Sequence, residues 1–165
     1  MRMTEIGIGL LGFGTVGKGI YDLLGANGEE IAKRRGVRFS IRKIAVRDLS
    51  RHTSVDSSLL TTDPFEVVND PSCQLIAEVM GGEEPALPCI SKAIALKKPT
   101  ATANKLVVAK HWPTLIELAQ KNKTGFRYEA AVCAGIPILT SLEIGLAGNH
   151  VESITGILNG TTNFI

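Results

Sequence analysis

Apolar positions along this chain fall into short runs separated by glycine-rich or polar breaks. The first run, Ile6 to Leu11, is apolar at successive positions and stops at a glycine turn. A run this short that is apolar on both faces suits a buried parallel strand. Val16, Ile20, Leu23 and Leu24 then recur at helical spacing. The polar stretch from Gly25 to Gly36, with Ile31 and Ala32 inside it, extends that helix or adds a short second one. Val37-Arg38-Phe39-Ser40-Ile41 alternates and passes into Ile44-Ala45-Val46, which predicts a second strand with Arg47-Asp48 at its C-terminal end. Residues 49–58 read as loop, and 59–62 as a short strand.

Asp63-Pro64-Phe65-Glu66 carries helix-start chemistry: a capping Asp63, Pro64 at the first helical position, and Glu66 to complete a capping box. Asn69-Asp70-Pro71 ends this helix early. Leu75 to Met80 predicts another buried strand, closed by Gly81-Gly82. A helix from about Pro85 or Pro88 to Lys97 follows, then a strand from Pro99 to Ala103. Asn104 to Lys121 is helical, with Pro113 either kinking it or starting a second segment. Phe126 to Glu129 is the next strand. Strand–helix alternation of this kind predicts an α/β fold: a Rossmann-type, doubly wound parallel sheet with crossover helices. The tail reads as a helix from Pro137 to Leu146 with Gly145 or Gly148 at its exit, a strand from Val151 to Leu158, and a turn at residues 159–163 leading into a further helix. The division expected is a parallel-sheet domain over residues 1–136 and, over 137–165, a junction with the beginning of a further domain in a longer protein.

Composition narrows the classes without choosing among enzymes. Of 165 residues, 44% are hydrophobic and 21% charged, ordinary for a globular chain. The net charge of +2 gives no field for nucleic acid or a membrane surface. The one basic cluster, Lys33-Arg34-Arg35, reads as the exposed end of a helix. Cys73, Cys89 and Cys133 are odd in number and include no CxxC pair, which fits a reducing cytoplasm and neither a disulfide framework nor a zinc site. No apolar run approaches a membrane span, and the N-terminus enters a strand pattern with no signal-peptide core.

Gly12-Phe13-Gly14-Thr15-Val16-Gly17 matches GxGxxG between a strand and a helix, the context that gives this fingerprint meaning. Gly12 permits the tight turn, Gly14 admits a pyrophosphate to the backbone, and Gly17 lets helix and strand pack closely. The helix N-terminus supplies free N–H groups and partial positive charge. After the second strand, Arg47 suits a 2′-phosphate, as in NADP, while Asp48 keeps NAD open. A solvated strand end is the plain alternative for Arg47. Their distance from Gly17 exceeds the usual interval of roughly 20 residues, which the Gly25–Gly36 stretch absorbs. Gly81-Gly82 ends a strand on the ligand-binding edge, where small residues let a flat ring approach the backbone; a simple turn is an equal reading. Lys105 follows the 100–103 strand on the same edge, where a lysine can donate a proton or hold an anionic substrate.

Taken together, these segments resemble the homoserine dehydrogenase family. The motifs that carry the resemblance are residues 9–17 (GLLGFGTVG), 45–48 (AVRD), 102–105 (TANK), 129–137 (EAAVCAGIP) and 156–164 (GILNGTTNF). The resemblance implies an NAD(P)-dependent oxidoreductase that interconverts L-homoserine and L-aspartate 4-semialdehyde, on the route to threonine, methionine and isoleucine. It implies NADP, with NAD possible, held by Phe13, Thr15, Val16, Arg47 and Lys105 beside the three glycines, with Gly81 and Thr102 on the same edge. Lys105 matches the family's catalytic lysine. Glu129, Val132, Ala134 and Ile136 match a monovalent-cation loop, for sodium, mostly through backbone carbonyls. A carboxylate capping the next helix is the alternative for Glu129. Ala134 replaces a usual glycine, and a positive φ there would be strained. Cys133 is also atypical and reads as a small buried thiol. The resemblance further implies a substrate and dimerisation domain beyond this segment, a homo-oligomer in the full-length protein, and a segment that alone turns over little substrate. Another Rossmann oxidoreductase of semialdehydes or sugars, and a non-catalytic nucleotide-sensing module, are the competing readings.

Overall fold

Ile8 and Leu10 leave strand β1 (Thr4–Leu11) on one side and Leu11 on the other, and all three are buried. The first two join Phe13, Ile44 and Val46 under Ile20, Tyr21 and Leu24 of helix α1 (Thr15–Arg35). Leu11 joins Ala45, Ile76 and the Val67–Val68 pair of helix α2 (Pro64–Asn69) on the opposite face. Both faces of the strand are therefore covered, which is why its sequence does not alternate. A computed structural model of the chain describes residues 3–157.

Strand β2 (Val37–Ala45) runs parallel to β1. Ile8 pairs with Ile41 but Gly9 pairs with Lys43, so Arg42 is one residue extra. That bulge reconciles the two pieces of the sequence pattern: Phe39, Ile41 and Ile44 pack on the same cluster although positions 41 and 44 differ in parity. Strands β3 (Leu60–Thr61), β4 (Leu75–Glu78), β5 (Thr100–Thr102) and β6 (Phe126–Arg127) complete a parallel sheet in the order β3-β2-β1-β4-β5-β6. This is the doubly wound order with its switch point between β1 and β4. Helices α3 (Ala86–Ala95) and α4 (Lys105–Asn122) bury Ile90, Ile94, Val107, Leu115 and Ala119 against Phe126 in a third cluster.

Helix α1 absorbs the whole polar stretch in one 21-residue helix and ends on Gly36 at φ 70°, whose N–H donates to the Ala32 carbonyl at 2.8 Å. Lys33, Arg34 and Arg35 form its exposed last turn, where cations favour the helix dipole. Cys73 and Cys89 are buried in the core, and burial pushes the Cys89 thiol up to about 11. Cys133, expected to be buried, is partly exposed on the loop after β6.

Five local expectations change. Asp63 caps α2 by accepting from the Phe65 N–H, but Glu66 does not close a capping box. The Asp63 N–H donates to Thr61 Oγ1 at 3.1 Å instead, and Glu66 lies 3.9 Å from Lys43. Pro113 sits inside α4 without dividing it, because the buried positions on both sides of it pack on one cluster. Strand β6 stops at Arg127, and Glu129–Ala131 forms a 3₁₀ turn. The tail helix is confined to α5 (Ile138–Thr140), continued by a π-type turn over Ser141–Gly145. Residues 151–157 form no strand: among the described residues no ladder partner lies beyond β6, and an unpaired segment keeps its backbone in water. The turn expected at 159–163 and most of the 156–164 motif lie outside the described residues. Among the described residues no helix is long and apolar enough to cross a membrane.

Candidate functional site

The glycine turn between β1 and α1 is tight for a local reason. Gly12 has φ +100°, and a Cβ there would lie 2.9 Å from the Val79 carbonyl oxygen of the chain leaving β4. Its N–H donates to the Ala45 carbonyl at 3.0 Å, fastening the turn to β2. A Cβ at Gly17 would be driven into the Gly12 carbonyl oxygen, so the helix crosses the turn at a distance only glycine allows. Gly14 meets the opposite condition: among the described residues, its chain neighbours aside, no atom lies within 4 Å of where its Cβ would be. Gly14 is the N-cap of α1, no side chain bonds the first-turn N–H groups, and that turn carries no acid. These unspent donors and the positive end of the helix face open space, the condition for binding an anion.

A cleft of about 660 Å³ opens there, at the C-terminal ends of β1, β2 and β4. Gly12, Phe13 and Gly14 form one wall, and Val79, Met80 and Gly81 another. The β2 side contributes Val46, Arg47 and Asp48, with Arg51 and His52 from the following 3₁₀ turn. Asp48 caps that turn. Its Oδ1 accepts from the Ser50 N–H at 3.0 Å and hydroxyl at 2.7 Å, and its Oδ2 lies 3.4 Å from Arg51 Nε. The Ser50 hydrogen bonds, with smaller help from Arg51 and His52, hold the Asp48 carboxyl below its ordinary range. Arg47 is exposed and has no ion-pair partner among the described residues. The His52 ring meets Phe13 edge-on at 5.3 Å, closing that corner.

Polar side chains are buried between the ends of β4 and β5. Thr102 donates to Glu78 Oε2 at 2.5 Å, and its own oxygen accepts from the Asn104 N–H at 3.0 Å. Asn104 caps α4 through the Val107 N–H at 3.2 Å and donates to the Gly82 carbonyl at 2.6 Å. Lys105 follows as the exposed first residue of α4. Glu83, beyond the Gly81-Gly82 turn, reaches α4 through Lys110 at 2.6 Å and His111 at 2.7 Å. Those two partners, Lys110 first, hold its carboxyl below the usual range.

The loop after β6 turns on Glu129. Its carboxylate accepts from the Leu139 N–H at 2.9 Å, the Thr140 N–H at 2.8 Å and the Thr140 hydroxyl at 2.6 Å. The Thr140 hydroxyl contributes most to holding this carboxyl below its ordinary value. Cys133 and Ala134 both adopt left-handed backbone, at φ 56° and 50°.

Comparison with known proteins agrees with this geometry. Residues 12–129 match the family model described as homoserine dehydrogenase, NAD binding domain, and residues 137–165 match the model described as homoserine dehydrogenase. The chain belongs to the homoserine dehydrogenase family. It is 42% identical over 160 residues to the homoserine dehydrogenase of Synechocystis, which covers 96% of this chain and 36% of that protein. Among solved structures, the homoserine dehydrogenase from Thiobacillus denitrificans superposes with a TM-score of 0.91 at 44% identity, over 98% of this chain and 38% of that one. A hyperthermophilic archaeal homoserine dehydrogenase in complex with NADPH shares the fold, with a TM-score of 0.71 at 23% identity over 84% of this chain and 48% of that one. The chain thus spans less than two-fifths of the length of the first two relatives.

Of the residues singled out from sequence, Gly12, Phe13, Gly14, Arg47 and Gly81 line the cleft. Thr15 and Val16 stand exposed on the first turn of α1, while Gly17 is buried beneath it. Thr102 is buried beside Glu78, and Lys105 lies outside the cleft lining, tied to it through Asn104 and Gly82. Glu129, Val132, Ala134 and Ile136 share one loop, away from the cleft lining. Sequence reasoning missed Arg51 and His52, which sit in a stretch with no periodic signal. It also missed Glu78, whose charge inside an otherwise apolar strand was the available signal.

Proposed function

We propose that this chain is the nucleotide-binding portion of an NADP-preferring homoserine dehydrogenase. In that reading the complete polypeptide interconverts L-homoserine and L-aspartate 4-semialdehyde in the cytoplasm, for threonine, methionine and isoleucine synthesis. Residues 1–136 form the dinucleotide domain, and 137–165 lead into a substrate and dimerisation domain that makes the full-length protein a homo-oligomer. The chain alone binds nucleotide and turns over little substrate. The donors at the N-terminus of α1 fit a pyrophosphate, with Gly14 as its cradle and Phe13, Thr15 and Val16 around it. When bound, the nicotinamide supplies the hydride acceptor and donor. Gly81 and Thr102 lie along its edge of the site, and Lys105 holds the proton exchanged with the substrate oxygen.

One observation supports NADP over NAD. Arg47 has no ion-pair partner among the described residues that line or border the cleft, whereas the Asp48 carboxylate is already engaged by Ser50 and Arg51. A free guanidinium suits a 2′-phosphate, and a carboxylate spent on its own turn is a poor partner for ribose hydroxyls. Calorimetric titration of the chain with NADPH and NADH tests this reading. Tighter NADPH binding is expected, and equal or reversed affinities would overturn it.

The sodium reading concerns the loop after β6. The Glu129 carboxylate faces donors, so a cation there takes main-chain oxygens. Among the described residues the Val132 and Ala134 carbonyls accept no hydrogen bond. Those of Glu129 and Ile136 each accept one, from Val132 and Ile138 at 2.9 Å, and keep a second lone pair. Hard carbonyl oxygens suit such an ion. A rise in melting temperature with sodium that lithium does not reproduce is expected, and identical responses to both would remove the site.

A further inference from the structure

Strand β4 reads Leu75-Ile76-Ala77-Glu78, and the side chain of Glu78 is fully buried. A carboxyl group inside a sheet is costly unless its oxygens are satisfied, and an apolar residue is the default there. No cation lies within ion-pair distance of Glu78 among the described residues. Its partners are all on the exits of two strands. Oε1 accepts from the Met80 N–H at 2.8 Å and faces Asn104 Nδ2 at 3.5 Å, while Oε2 accepts from the Thr102 hydroxyl at 2.5 Å. Asn104 in turn holds the Gly82 carbonyl and the first turn of α4.

Neither the cap of α4 nor the joining of the two strands needs this carboxyl. The oxygen of Asn104 caps α4 by itself, and the strands are already joined by the Ala103 N–H on the Glu78 carbonyl at 3.0 Å. What the carboxyl adds is orientation. It holds the Thr102 hydroxyl, whose oxygen accepts the Asn104 N–H at 3.0 Å, and faces the Asn104 amide at 3.5 Å, and Lys105 is the next residue along the chain. We infer that Glu78 is a positioning residue, acting through Thr102 and Asn104 to set Lys105 beside the Gly81-Gly82 turn at the edge of the nucleotide cleft. This inference rests on the proposed role of Lys105 in turnover. Glu78 touches neither substrate nor cofactor in it.

The test uses the complete gene product and compares Glu78→Gln, Lys105→Ala and the double variant. Glu78→Gln keeps shape, volume and an acceptor for the Met80 N–H, but puts amide hydrogens where the Thr102 hydroxyl now donates, breaking the link from β4 through Thr102 to Asn104. The expected result is a kcat lower by about 10- to 100-fold, the scale of a small misplacement of a reacting group. KM for the nucleotide and the melting temperature stay near the parent's. The double variant is no slower than Lys105→Ala, because a residue that acts through Lys105 has nothing left to position. Additive losses, or parental kcat in Glu78→Gln, would overturn the inference alone. Parental kcat in Lys105→Ala would instead remove the proposed role of Lys105 and the inference with it. If Glu78→Gln does not fold, Asn104→Ser serves: its hydroxyl still caps α4 but cannot reach Gly82 or Glu78. The same kcat loss and the same non-additivity are expected, and parental kcat in Asn104→Ser overturns the inference.

Discussion

Gly17 packs against the carbonyl oxygen of Gly12 so closely that a β-carbon at residue 17 would overlap that oxygen. The contact fixes how near α1 comes to the end of β1, and hence where its free N–H groups point. Gly17→Ala must push the helix off the turn. Overpacking of this kind costs about 1–3 kcal/mol, so denaturant melts are expected to show that loss together with weaker nucleotide binding. Gly14→Ala separates the two effects. Residue 14 has φ −77° and open space at its Cβ, so stability is expected to hold while the added methyl obstructs the pyrophosphate. A Gly14→Ala variant with unchanged nucleotide affinity would show that the phosphates do not pass there.

The parts legible in the sequence are those that local rules determine. Ile8, Leu10 and Leu11 announce a strand covered on both faces, and Gly12, Gly14 and Gly17 announce the turn because each position has a separate steric reason. What stayed hidden depends on partners distant in sequence. Pro113 continues α4 because its neighbours share a cluster with α3 and β6, which no window around Pro113 contains. Val151, Ile154 and Ile157 are β-branched, as a strand favours, yet a strand exists only where another pairs with it. Glu66 resembles a capping-box residue, but Thr61 reaches the same N–H first. Glu78, Arg51 and His52 acquire meaning only when β4, β5 and the turn after β2 come together at one edge.

The Glu129 carboxylate ties the loop after β6 to α5, and its folded-state value lies below the ordinary one near 4.5. A carboxyl lowered by folding stabilises the folded form above its unfolded value, and loses that contribution as pH falls through the folded value. The tie is therefore expected to hold at neutral pH and to loosen only below about 4.5. Carboxyl-detected NMR is expected to place the Glu129 midpoint below that of an unstructured glutamate. Faster amide exchange at Leu139 and Thr140 should accompany its protonation. A midpoint at or above the unstructured value would mean the three donors do not hold it.

Ala134 sits at φ 50°, beside Cys133 at φ 56°. Left-handed backbone costs a residue with a β-carbon about 1–2 kcal/mol, and glycine returns part of that through its greater freedom when unfolded. Ala134→Gly is therefore expected to stabilise the fold by about 0.5–1 kcal/mol in denaturant melts. Among the described residues, its chain neighbours aside, nothing lies within 4 Å of a β-carbon at the neighbouring Gly135, so the loop has room to keep its shape. A destabilising Ala134→Gly would mean that the loop does not hold residue 134 left-handed in solution.

Arg47 and Asp48 make opposite claims on the same corner of the cleft, and their surroundings decide between them. The Ser50 N–H and hydroxyl and the Arg51 side chain keep Asp48 turned to its own 3₁₀ turn, while Arg47 carries an unpaired charge. If that charge meets a 2′-phosphate, Arg47→Ala should weaken NADPH binding by about 1.5–3 kcal/mol, the range for a hydrogen bond to a charged group. NADH, which lacks the phosphate, should bind nearly as before. The loss should shrink as salt is raised, since an exposed pair is screened. Ser50→Ala adds a second direction. It removes one of the donors holding Asp48, freeing the carboxylate for ribose hydroxyls, so NADH affinity is expected to rise relative to NADPH. Equal losses for both nucleotides in Arg47→Ala would mean that the guanidinium meets a group the two share, and the preference would then have to originate elsewhere on the cleft, which Arg51 and His52 also line.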